Sequence, residues 1–187
     1  MLKAVLVLVA TAIAGFAGYV AMQPPGYTVT RQATIAAPPA VIYPHIANLK
    51  RWDDWSPWAK KDPNAKVQFS GPESGVGSKF TWSGNSDVGA GAMTIVESTP
   101  DQRVAIKLDL TAPIEGTSDV VLALQPEGGG RTSVRWSIAG QQGFIDRAFC
   151  TLLGIDLDEM IGTDYEKGLA NLKNVVEAAP RADANRG

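Results

Sequence analysis

The chain has 187 residues, of which 45% are hydrophobic and 19% charged, and its formal net charge is −2. That length holds one domain plus an appendage, and lysines and arginines scattered along a near-neutral chain exclude the basic footprint of a nucleic-acid binder. A single cysteine, Cys150, excludes an internal disulfide and any multi-cysteine metal site, and a single histidine, His45, excludes a centre built from several imidazoles. No metal and no cofactor are expected.

Nineteen uncharged residues, AVLVLVATAIAGFAGYVAM, run from Ala4 to Met22. At about 1.5 Å of rise per residue they nearly span a hydrocarbon core of ~30 Å, so residues 1–22 read as a membrane anchor. Lys3 precedes the run and no basic residue follows until Arg31. The positive-inside tendency then leaves the N-terminus cytoplasmic and the remainder outside, as a single-pass protein. A secretory signal cleaved after Ala17 is the competing reading, although the apolar run continues beyond that point. QPPG, residues 23–26, is a stiff spacer, and the domain is expected over 27–179 with a disordered polar tail at 180–187.

In YTVTRQATIAA, Tyr27, Val29, Arg31, Ala33 and Ile35 alternate with polar residues, which predicts a strand with one wet face. Pro38 and Pro39 open a short helix to about residue 47, with Pro44 near its kink or end. Asn48 is placed to cap a second short helix around 49–54. Period-two segments then follow in AKVQFSG, SKFTWSG, GAGAMTIVES, RVAIKLDL, SDVVLALQP and RTSVRWSIAG, separated by turns rich in Gly and Pro. They predict an antiparallel meander with one apolar face. Ile145, Phe149, Leu152, Leu157, Ile161, Tyr165, Leu169, Leu172 and Val176 recur at helical spacing, with a break expected near Gly154.

The helix has one apolar stripe and the sheet one apolar face, and each buries that surface on the other. The expected fold is therefore α+β: a helix-grip arrangement in which a curved seven-stranded antiparallel sheet wraps a long C-terminal helix and leaves a hollow between them. Two short helices follow the first strand, and one transmembrane helix precedes the domain.

The motifs WDDWSPW, GPESGVGSKFTWSGN, GAGAMTIVESTP, EGGGRTSVRWSIAG and DYEKGLANLK, spread over residues 27–176, resemble the START-like SRPBCC superfamily. Within it they resemble most the branch labelled polyketide cyclase/dehydrase and lipid transport. The resemblance implies the helix-grip fold and a family that includes hydrophobic-ligand carriers and cyclases. It does not choose between them, because function lives in the site.

Three of the five tryptophans, Trp52, Trp55 and Trp58, fall in RWDDWSPWAKKD. Pro57 drives Ser56 towards extended backbone and stops the second short helix, so the rings close one end of the hollow. Either they form an aromatic rim against a ligand, or they form a small core in which each indole N–H finds a carbonyl. Strand parity assigns Phe80, Trp82, Met93, Ile95, Ile106, Leu108, Leu122 and Trp136 to the cavity wall. The helix stripe adds Phe149, Leu152, Leu153 and Met160.

No catalytic constellation stands out. His45 reads as a helix-end histidine and Cys150 as a small buried thiol. GVG at 75–77 lacks the third glycine and the following helix of a dinucleotide fingerprint. Glu97 keeps parity with Met93 and Ile95, so a regular strand would turn its carboxylate inward as a candidate general acid or base. The other reading is a strand-end carboxylate bonding backbone amides near the Thr99-Pro100 turn.

The leading expectation is a membrane-tethered binding protein for a hydrophobic small molecule or lipid. A cyclase or dehydrase using Glu97 is the alternative, and a tethered module that meets a protein partner through the tryptophan segment is the third reading. The sequence names no such partner.

Overall fold

The computed structural model describes residues 1–178; the tail expected to be disordered, 180–187, lies outside them. Leu2–Met22 forms one helix, α1, long and apolar enough to cross a membrane. Its surface is exposed except at Val20 and, in part, Ala17. Only Gln23, Pro24 and Pro25 separate it from β1, Gly26–Ile35.

Two short helical segments follow. Helix α2, Pro39–Ala47, starts on a proline, whose missing N–H falls in the first turn, where no helical partner exists. Pro44 lies inside it and the helix ends three residues later. Asn48 then caps a 3-10 helix, Leu49–Asp54, its side-chain oxygen accepting the Lys50 N–H at 2.9 Å.

The meander comprises β2 (Lys66–Ser70), β3 (Lys79–Ser83), β4 (Ala90–Thr99), β5 (Arg103–Ala112), β6 (Gly116–Gly128) and β7 (Arg131–Gln141). All pairings are antiparallel, in the order β1-β7-β6-β5-β4-β3-β2. The first strand pairs with the last because α2 and the 3-10 helix carry the chain from β1 to the far edge before the meander begins. The register lines up Val29, Ile138, Val120, Ile106 and Ile95 across five strands, every one of them buried.

That apolar row is covered by α4, Leu157–Ala178, through Tyr165, Leu169, Leu172 and Val176. Their spacing of four, three and four keeps them on one stripe. The result is the helix-grip α+β fold read from the sequence, with α4 resting chiefly on β1. Arg31 fastens the start of this helix to the sheet. Its Nε lies 2.8 Å from Glu166 Oε1 and its Nη2 2.8 Å from Asp158 Oδ2, which holds the Asp158 carboxyl below its usual value of 3.8.

The helical stripe needs a correction. Gly154, in the left-handed conformation at φ 65°, ends α3 (Phe144–Leu153), and α4 starts afresh at Leu157. The two helices do not share a face. Helix α3 packs on α1 instead of the sheet. Phe149, Leu152, Leu153 and Met160, assigned above to the cavity wall, are 52%, 72%, 58% and 55% exposed on the outside of the molecule.

Candidate functional site

The tryptophan segment makes a core rather than an exposed rim. Helix α2 ends with carbonyls that have no helical donor, and two indoles supply the missing N–H groups. Trp52 Nε1 donates to Ile46 O and Trp55 Nε1 to His45 O, both at 3.1 Å. Asn171 of α4 donates to Trp55 O at 3.1 Å, joining the segment to the helix. Trp52 and Trp55 are buried and Trp58 is half-buried, while Asp53 and Asp54 between them face solvent. The segment therefore does not present three exposed rings to a protein partner.

Trp136 on β7 is the hub of this cluster. Its ring stacks on Tyr165 with centroids 3.9 Å apart and planes 11° apart. Trp52, Trp55 and Trp58 meet it edge-on at 5.7, 5.2 and 6.0 Å. Gly168 makes room on α4: a Cβ there would lie 2.6 Å from the Trp136 ring. Burial raises the Tyr165 phenol well above its usual value of 10. The Trp136 indole N–H is buried without a hydrogen-bond partner. Five aromatic rings thus fill the space that was expected to be hollow under the middle of α4.

Further along the concave face the packing opens. One cross-sheet row runs Phe69, Phe80, Met93, Leu108, Ser118, Gly140 and Tyr27. Phe80, Met93 and Leu108 are partly buried against the core, and Phe69 is exposed. Trp82 stacks on Phe80 at 5.6 Å and donates its N–H to Val88 O at 2.9 Å. At the deep end Tyr27 Oη and the buried Ser118 Oγ share a hydrogen bond of 3.0 Å. Of the predicted wall, Ile95, Ile106, Leu122 and Trp136 lie in the solid core, whereas Phe80, Trp82, Met93 and Leu108 form the open part. Phe69, Tyr27 and Ser118 were missed, although parity with Phe80 across the β2–β3 pair would have identified the first.

Two open depressions are present, the second of them reaching Trp82 at the margin of this face. One, of about 240 Å³, sits between the 3-10 helix and α4 and is lined by Asp54, Ser56, Pro57, Lys60, Asn171 and neighbouring α4 residues. The other, of about 520 Å³, follows the β2–β3 edge.

Glu97 is not in the interior. The pairing of β4 with β5 skips Val96, so that Ile95 faces Ile106 but Glu97 faces Ala105. This bulge flips every later side chain to the other face. Glu97 emerges half-exposed, 3.2 Å from Arg103 Nε, and Ser98 turns inward to meet Tyr43 Oη at 2.6 Å. An exposed pair of this kind contributes about 0–1 kcal/mol. The acid–base role inferred from parity is lost with the orientation it required.

Cys150 is half-buried on α3, its Sγ accepting from Gln142 Nε2 at 3.4 Å. Among the described residues, no three of His, Cys, Asp and Glu gather where they could hold a metal ion. His45 sits in the last turn of α2, its Nδ1 buried and unpartnered. Burial pushes its pKa below the usual 6.5; Arg51 adds to the shift and Asp54 opposes it. The unfolded chain therefore takes up this proton first as pH falls. Stability should be full above about pH 6.5 and decline through that value towards the lower folded pKa. Urea midpoints compared at about pH 8 and about pH 5.5 should show the decline, and His45→Gln should flatten it. An unchanged slope in the variant would assign it to other groups.

A curled antiparallel sheet gripping a C-terminal helix, with an apolar concave face, defines a helix-grip protein of the SRPBCC superfamily. Residues 27–177 match the model of the family described as polyketide cyclase / dehydrase and lipid transport, and the chain belongs to that family. Solved structures share the fold at low identity. The Zhui aromatase/cyclase of Streptomyces sp. R1128 is 16% identical with a TM-score of 0.57, over 84% of this chain and 97% of that one. The Aha1 dimer of Colwellia psychrerythraea is 16% identical with a TM-score of 0.57, over 82% and 98%. A protein of Thermobifida fusca is 18% identical with a TM-score of 0.59, over 80% and 92%. No curated protein matches the chain.

Proposed function

We propose that this chain is a membrane-tethered binding protein that holds a hydrophobic small molecule or a lipid on the open half of its concave face. The observation that carries the reading is the row Phe69, Phe80, Met93 and Leu108, incompletely covered by α4 and ending at the Tyr27–Ser118 hydroxyl pair. Apolar walls with a few fixed polar groups are what retain and orient an oily guest. The family description, which names both cyclisation and lipid transport, is consistent with such a guest. Helix α1 supplies the tether, with the N-terminus cytoplasmic and the domain outside. This reading gives the face a binding role, and the one carboxylate weighed for a cyclase, Glu97, lies on the opposite face.

Native mass spectrometry of the full chain, released from its membrane in mild detergent, tests this directly. A reproducible adduct of one apolar molecule is the expected result, displaced in proportion by an added hydrophobic fluorophore. A bare polypeptide mass together with no fluorophore binding would remove the proposal.

A further inference from the structure

Helix α3 is turned inside out relative to a helix on a water-facing surface. Its polar residues, Asp146, Arg147, Cys150 and Thr151, face inward and are half-buried. Asp146 Oδ2 accepts the Gly143 N–H at 3.2 Å, and Thr151 Oγ1 donates to Gln23 Oε1 at 3.1 Å. Outward stand Phe144, Ile145, Phe149, Leu152 and Leu153, all exposed, with Ile145 at 75%. No charge interrupts that face. A soluble helix shows the opposite arrangement, apolar residues inward and charge outward. A contiguous apolar surface of this kind marks a contact with something else.

From these contacts we infer that α3 is an interfacial helix whose outward face lies in the bilayer beside α1. The inference rests on the tethering proposed above and adds a second, lateral membrane contact to it. Three observations select a bilayer as the occupant. Helix α3 packs on α1, and Gln23, at the C-terminal end of α1, is hydrogen-bonded to Thr151, so the two apolar surfaces adjoin. The spacer Gln23–Pro25 reaches at most about 10 Å, which confines this side of the domain to the membrane surface. Gln142 N also donates to Pro25 O at 2.8 Å, pinning the approach to α3 against the spacer. A helix with one apolar face held in that plane buries it at the boundary between headgroups and acyl chains. In this arrangement the domain does not swing on a tether; it stands on the membrane in one orientation.

The test uses the full chain in vesicles of phosphatidylcholine and phosphatidylglycerol. In a Cys150→Ser background, single cysteines at Ile145, Leu152, Ile13 and Gln68 carry an environment-sensitive fluorophore. Ile13 reports on α1, and Gln68 on β2 is the control at the opposite edge of the sheet from β1. The expected result is quenching by brominated lipid at Ile145, Leu152 and Ile13, and quenching by aqueous iodide at Gln68 alone. Iodide access at Ile145 and Leu152 with Ile13 protected would overturn the inference while leaving the tether intact. Protection from both quenchers, with a doubled mass in detergent, would give the face to a second copy and equally overturn it. Lipid quenching at Leu152 with Ile13 open to iodide would retain α3 as a membrane contact and retract the tether. Iodide access at all four positions would remove both.

Discussion

Replacing Trp136 with alanine should destabilise the domain by about 3–5 kcal/mol, the range for deleting a large buried aromatic. The side chain is 1% exposed and touches four other aromatic rings, so little of the vacated space can be refilled without moving α4 or the 3-10 helix. A typical domain has about 5–15 kcal/mol in total, so this one change should remove from about a fifth to all of it and lower the midpoint of urea unfolding in proportion. Far-UV circular dichroism is the suitable reading, because the substitution itself removes one of the five tryptophans and alters the fluorescence baseline. A double-mutant cycle between Trp136→Leu and Tyr165→Leu should return a coupling of about 0.5–1.5 kcal/mol for the stacked pair. A loss below about 1 kcal/mol for Trp136→Ala would mean that the space under α4 readjusts freely, and the aromatic cluster would then not be the keystone of the grip.

What made this cluster hard to anticipate is that its members come from three places: the irregular segment after α2, the middle of β7, and α4. Alternation placed Trp136 on the concave face and helical spacing placed Tyr165 on the stripe. Neither pattern tells how far a 3-10 helix reaches into the hollow. The element order, the antiparallel pairing and the Asn48 cap were all legible, since each depends on local alternation, turn residues or one side chain. Two features were not. A bulge adds one residue without changing composition, so Glu97 looked inward until the pairing of Ile95 with Ile106 and of Glu97 with Ala105 exposed the skipped Val96. The α3 stripe was periodic and apolar in the right way for a core helix. Periodicity identifies an apolar face and says nothing of what covers it. Arg31 illustrates the reverse case: a charge on the apolar face of β1 whose carboxylate partners lie 127 and 135 residues further on.

The open half of the concave face leads to the second large effect, at Leu108. Leu108→Glu should abolish binding of the apolar guest while the fold persists, because the position is only partly buried and water still reaches it. In the empty protein the new carboxylate stays hydrated. A guest seated over Phe80, Met93 and Leu108 would strip that water without offering a partner. Burying an unpaired polar group costs about 1–3 kcal/mol, and a charge more. Affinity should therefore fall by at least about ten- to a hundredfold. The adduct seen by native mass spectrometry should vanish in parallel. Val96→Glu is the matched control: it adds the same charge at the exposed bulge, and both affinity and adduct should stay as in the parent chain. The comparison also separates guest from annular lipid. Molecules held only around α1 would survive both substitutions alike, whereas a guest on the sheet responds to Leu108 alone. Equal adducts in all three chains would place the bound lipid on the anchor and leave the concave face without its occupant.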